Sequence, residues 1–109
     1  MPQVILKGLP LQRTQELSPV ISRELATIVN VPPEWIVVEH NDAQFYRQGV
    51  QDKGLCMVMI QWATRPRELQ RAVAEKLSQI ILGQGCDTVE VLYTNLDMEE
   101  FYEFKTPSP

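Results

Sequence analysis

The sequence predicts an α+β domain in which a four-stranded sheet carries two helices on one face. Three observations predict it. Two amphipathic stretches, one ending at Val29 and one before Gly83, each lie between two apolar, strand-like runs. The two strand–helix–strand units match each other along their length, the mark of an internal repeat. A chain of 109 residues supports one such core and no more, so residues 1–109 form a single domain.

Pro2 to Lys7 is rich in branched apolar side chains and closed by Gly8, which reads as the first strand. A turn at Leu9-Pro10-Leu11 leads into a helix whose apolar positions are Leu17, Val20, Ile21, Leu25, Ile28 and Val29. Pro19 allows two starts, a short helix capped at Ser18 or a longer one from near Arg13. The repeat favours the longer. Pro32-Pro33 ends it, and Trp35 to His40 is the second strand. Residues 41–53 lack periodicity and are either a long hairpin or a functional loop. Leu55 to Trp62 is apolar on both faces, as in a central strand. Thr64 reads as an N-cap with Pro66 in the first helical turn, and Leu69, Ala72, Val73, Leu77, Ile80 and Ile81 form that helix's apolar stripe. Thr88 to Thr94 is the fourth strand, followed by an acidic, aromatic-dotted tail, 95–109.

A shift of 52 residues lays Leu17 on Leu69, Ile21 on Val73, Leu25 on Leu77, Val29 on Ile81 and Arg13 on Arg65. The outer strands follow with a one-residue slip, Ile36-Val37-Val38 answering Val89-Glu90-Val91. The halves are thus about 1–41 and 54–94. With both helices on one face, the other face of the sheet is bare. It carries either Cys56, Val58 and Ile60 or Leu55, Met57 and Met59, depending on register. A bare apolar face implies a homo-oligomer closed by symmetry.

Composition excludes several classes. A net charge of −4 with scattered cations argues against nucleic acid as a partner. No run is long enough to span a membrane, and the N-terminus lacks a signal-peptide pattern. Cys56, Cys86 and the lone His40 have no metal-ligand spacing, so no metal and no cofactor are expected. The expectation is a reduced, cytoplasmic protein.

One residue type points to chemistry. Removal of Met1 leaves Pro2 as a secondary amine at the end of a rigid strand. Such an amine has an ordinary pKa near 8 and is tuned by burial and by neighbouring charge. A Glu39 carboxylate beside it would raise that value. The Pro2-led strand, the tandem βαβ units and the bare sheet face together resemble the tautomerase superfamily, which includes 4-oxalocrotonate tautomerase and macrophage migration inhibitory factor. Val31-Pro32-Pro33-Glu34-Trp35-Ile36-Val37-Val38 is similar to that superfamily's Lys-Pro-Pro-x-aromatic-Ile-x-Val segment. The Met-Pro start and a Phe-containing loop after the second strand resemble an uncharacterised bacterial branch of it, a domain-of-unknown-function family.

The resemblance implies a homotrimer with a pocket around each Pro2 at a subunit boundary. It also implies proton shuttling by Pro2 between keto and enol forms of a small anionic molecule. Arg13 lies one residue past the position of the family's carboxylate-binding arginine. Phe45 and Tyr46 answer the loop phenylalanine, and Arg47 stands beside them. The second strand's arginine falls near Val37, the lysine before the double proline is Val31, and the fourth-strand tyrosine and asparagine fall on Glu90 and Leu92. Against these roles stand ordinary ones: Arg13, Arg65 and Arg47 as solvated charges, His40 as a bonded strand histidine, and Trp35, Trp62, Tyr93 and Tyr102 as core or interface. Two functions follow. One is a tautomerase-like enzyme with Pro2 as general base and acid. The other is a non-catalytic homotrimer that keeps the fold for binding or assembly.

Overall fold

Strand β1 (Gln3–Lys7) is the hub of the fold, a computed structural model describing residues 2–107. Met1, whose removal the sequence reading invokes, and residues 108–109 of the tail lie outside the described residues. The elements that follow are α1 (Leu11–Val29), β2 (Val37–Asn41), β3 (Phe45–Arg47), β4 (Val50–Asp52), β5 (Leu55–Ala63), α2 (Arg67–Ile81) and β6 (Thr88–Leu96). Short 3-10 turns at Pro33–Trp35 and Met98–Glu100 precede β2 and follow β6. No helix among the described residues is long and apolar enough to cross a membrane.

The four-stranded sheet has the order β2-β1-β5-β6. Each half forms a parallel pair, β1 with β2 and β5 with β6, and the halves join through antiparallel β1 and β5. One face packs on the helices. Val4 and Leu6 from β1 and Cys56, Val58, Ile60 and Trp62 from β5 meet Ile21, Leu25, Val29, Val73, Leu77 and Ile81 in one buried cluster. The helical residues in that cluster are counterparts under the 52-residue shift, so the repeat read from the sequence is the repeat of the core. Its outer strands are registered differently. Gln3 lies opposite Val37, and its counterpart Leu55 lies opposite Thr88. Thr88, rather than Glu90, therefore answers Val37.

α1 takes the longer form and passes through Pro19, which has no N–H for the Gln15 carbonyl. Both helices start directly after a proline, Pro10 and Pro66. Thr64 does not cap α2. Pro66 holds the N-cap position, and its carbonyl accepts from the Leu69 and Gln70 N–H groups. Trp35 likewise falls in the turn before β2 rather than in the strand. Residues 45–52 settle as a hairpin. Its turn, Gln48-Gly49, has φ of 49° and 81°, the positive values that match the twist of a two-residue hairpin.

Register selects Met57 and Met59 for the bare face and sends Cys56, Val58 and Ile60 to the helices. The face is less apolar than expected. Ile5, Met59 and Leu92 make one row with Glu39 at its edge, flanked by a row of Val37, Gln3, Gln61 and Thr94 and by one of Asn41, Lys7, Met57 and Glu90.

Candidate functional site

Pro2 sits at the mouth of the sheet, where topology gathers four chain segments. β1 and β2 begin here and, because β5 runs antiparallel to β1, β5 and β6 end here. The Pro2 carbonyl accepts the Val37 N–H at 3.2 Å, tying the start of β1 to the start of β2. Its side chain is fully buried, extending the helix-facing row of Val4 and Leu6. Pro2 does not itself line a cleft, but its neighbours Gln3 and Val37 do, together with Ala63 and Arg65, in one of about 670 Å³. The tail after β6 crosses the cleft and supplies Met98, Phe101, Glu103 and Lys105, and the turn before β2 supplies Glu34 and Trp35.

Arg65 is the anchored cation of this cleft. Its guanidinium lies over the Trp62 ring, 4.9 Å from the centroid, and Nη1 donates to the Ala63 carbonyl at 2.9 Å. Partial burial lowers its pKa, but a guanidinium keeps its charge at any physiological pH. The Trp62 ring is itself fixed. It stacks on Tyr93 at 4.6 Å and its Nε1–H donates to Asn95 Oδ1 at 3.2 Å. The Tyr93 hydroxyl donates to the Gln70 carbonyl, and burial pushes its pKa up to about 12. Lys105 is looser: it pairs with Glu103 at 3.5 Å on the exposed tail.

The substrate-binding residues expected from the sequence lie at the other end of β1. The Phe45 ring edge is 3.1 Å from where a Cβ on Gly8 would stand, so it packs beyond the last residue of β1. With strands rising about 3.3 Å per residue, that is roughly 20 Å from Pro2. Tyr46 and Arg47 continue outward on the hairpin, Tyr46 donating to Gln44 Oε1 at 3.1 Å and Arg47 pairing with Asp52 at 2.7 Å. That pair raises the pKa of Arg47 and lowers that of Asp52. Arg13 lies in the first turn of α1, exposed and paired with Glu16 at 3.0 Å. Within one chain, then, none of these four side chains reaches Pro2.

Other sequence readings resolve more simply. Glu39 lies opposite Ile5, away from Pro2, and accepts from Asn41. His40 is a bonded strand histidine, its Nε2 3.1 Å from the Leu9 carbonyl oxygen. Trp62 is core, whereas Trp35 and Tyr102 are 55% and 74% exposed in the single chain and are not. Among the cleft residues that sequence reasoning did not assign to a site are the charged Glu34, Arg65, Glu103 and Lys105 and the apolar Met98 and Phe101. Arg65 carried a signal, since the repeat lays it on Arg13. Lys105 lies in an aperiodic tail and carried none.

Comparison with known proteins places this geometry. The fold is that of the tautomerase superfamily. A macrophage migration inhibitory factor-like protein of Entamoeba histolytica superimposes with a TM-score of 0.76 at 9% identity, covering 94% of this chain and 95% of the other. A fused 4-OT, described as an asymmetric trimer, gives 0.79 at 13% identity over 93% and 91%. A DUF1904 domain of Sebaldella termitidis gives 0.83 at 22% identity over 94% and 95%. The sequence profile of DUF1904, a domain of unknown function, matches residues 1–106, and the chain belongs to that family. No functionally curated protein matches the sequence.

Proposed function

We propose that this protein is a small-molecule keto–enol tautomerase that works as a cytoplasmic homotrimer, with Pro2 as its proton carrier once Met1 is removed. The observation that carries the reading is the cleft beside Pro2, with the strand start pinned by Val37 and an anchored cation, Arg65, in its wall. The Pro2 nitrogen takes a proton from the carbon next to a carbonyl, the C–H electron pair becomes the C=C bond as the carbonyl pair moves to oxygen, and the prolinium then gives that proton to the oxygen to complete the enol. The proton returns to carbon in the reverse direction. Arg65 holds the anionic end of the substrate by charge-assisted hydrogen bonds. Apolar neighbours such as Val37, Met98 and Phe101 suit a substrate with an apolar body. In the trimer, Arg13, Phe45, Tyr46 and Arg47 serve the cleft of a neighbouring copy, a reading supported by their distance from Pro2 within one chain.

Ketonisation of enol phenylpyruvate tests this. The untagged protein is expected to accelerate it, Pro2→Ala to lower kcat about 100-fold, and Arg65→Ala to act mainly on KM. An absent activity, or one indifferent to Pro2, contradicts the reading. Light scattering is expected to give three times the 12.5 kDa chain mass, and a monomer contradicts the trimer. A second reading, a non-catalytic trimer used for binding or assembly, has its own support: the Pro2 side chain is fully buried, and Glu34 and Glu103 offset the cleft's two cations.

A further inference from the structure

The duplication offers an internal comparison for the groove between each helix and its outer strand. α1 and α2 end in register at Val29 and Ile81, but α2 starts four residues late: the counterparts of Leu11 to Thr14 are Ala63 to Pro66. Pro66 explains the delay, because a residue preceding proline is disfavoured in helical backbone, and β5 runs on to Ala63 instead. The missing turn leaves a cleft of about 790 Å³ beside β6, against about 370 Å³ in the equivalent groove beside β2.

The two grooves have also diverged in chemistry. Gln15, Ser18 and Pro19 line the first, and their counterparts Arg67, Gln70 and Arg71 line the second. With Arg65 at its inner end, three of the chain's six arginines converge on one cleft that, among the described residues, no carboxylate lines. This placement is unfavourable in an empty protein. Arg67 and Arg71 stand four residues apart on one helix face, where like charges repel, and Arg67 also lies in the first turn, at the positive end of the helix. Glu75 answers Arg71 from outside the cleft at 2.9 Å, an exposed pair of little strength, while Arg67 makes no ion pair among the described residues. Tyr93 and Asn95 complete the wall.

We propose that this second cleft binds a phosphate-type oxyanion carried by a soluble phosphorylated compound. Arg67 and Arg71 would grip it with Arg65 as the inner contact. Guanidinium forks match the paired oxygens of phosphate, and a bound dianion relieves both sources of repulsion. Arg65 borders both clefts, so the two sites share that residue, whereas Arg67 and Arg71 line only this one.

Inorganic pyrophosphate is the probe, titrated at low salt into the assembled protein while the arginine Nε–Hε signals are followed by NMR. The Arg65, Arg67 and Arg71 signals are expected to move together and saturate. Arg67→Gln with Arg71→Gln is expected to weaken binding about tenfold or more, and Arg23→Gln on α1 to leave it unchanged. Both substituted positions are exposed, so thermal unfolding of the double variant is expected to match the parent. Shifts that do not saturate, or equal binding by the double variant, overturn the proposal. So does co-sedimentation with phosphatidylcholine vesicles containing phosphatidylinositol monophosphate when pyrophosphate itself fails to bind, because the ligand is then a membrane headgroup.

Discussion

The two βαβ halves share a core and differ where each begins. The first starts at Pro2, beside a cleft of about 670 Å³. The counterpart of Pro2 under the 52-residue shift is Gly54, at the opposite end of the sheet, where the adjoining cavity is only about 150 Å³. Gly54 is bound on both sides: its N–H donates to Asp52 Oδ1 at 2.9 Å, and its carbonyl accepts from the Asp87 and Thr88 N–H groups. A Cβ there would lie 2.5 Å from Asp87 Oδ1. Lys53 precedes it in the chain, so no chain-terminal amine can arise at this end. A duplicated fold supplies two equivalent places for a site, and local sequence leaves one of them open and fills the other.

The contrast predicts where substitutions act. Trp62→Ala is expected to have the largest effect. It removes a fully buried ring that stacks on Tyr93 and carries Arg65, at a cost of about 3–5 kcal/mol in chemical denaturation. A stability loss much below that range would mean the second half can collapse around the gap. Next comes Gly8→Ala at the closed end. Gly8 has φ of 104°, and an added Cβ would lie 2.5 Å from the Leu55 carbonyl oxygen, a backbone atom that cannot turn away. The expected cost is about 1–3 kcal/mol, and a neutral result would show that the closed end is loosely built.

A titration separates the halves further. Burial pushes the Cys56 thiol up to about 12 from an ordinary 9.0, while its counterpart in β1 is Val4, which does not titrate. Between pH 9.0 and about 12 the folded state holds a proton the unfolded chain has lost, so stability falls as pH rises through that window. One such group contributes a slope of at most about 1.4 kcal/mol per pH unit. Cys56→Val, which copies the first half, is expected to flatten the decline in denaturation midpoint between about pH 8 and 10. An unchanged slope would assign the alkaline loss to Tyr93 and Cys86, whose pKa values burial also raises. The smallest effect is expected from Arg13→Ala, within about 0.5 kcal/mol, because its pair with Glu16 is exposed.

Local pattern explains what the sequence revealed. The helix stripes at Ile21, Leu25 and Val29 and at Val73, Leu77 and Ile81 are three- and four-residue spacings, and the strand runs around Val4 and Val58 alternate or persist within a few residues. The shift of 52 then joined the halves without any knowledge of their packing. The candidate site was legible only at Pro2. Its cleft depends on β1 meeting β5 antiparallel, which brings Ala63 and Arg65 and the tail at Met98 to Lys105 beside Pro2. No spacing within one segment encodes that pairing. The same pairing sends Gly8, Phe45 and the hairpin to the far end, so residues close to Pro2 in sequence order are remote from it in the chain's own fold. Thr64 has the chemistry of a cap and yet does not cap α2, because the β5 ladder extends to Ala63 and Pro66 holds the helix start at Arg67.

The central claim is that the open end of the sheet is a working end. Untagged protein made from its natural start and labelled with nitrogen-15 at proline tests it, by intact mass and by NMR titration of the Pro2 nitrogen. The account predicts a chain lacking methionine and a Pro2 pKa well below the ordinary value near 8. A retained methionine, or an amine that titrates like any chain terminus, would contradict it.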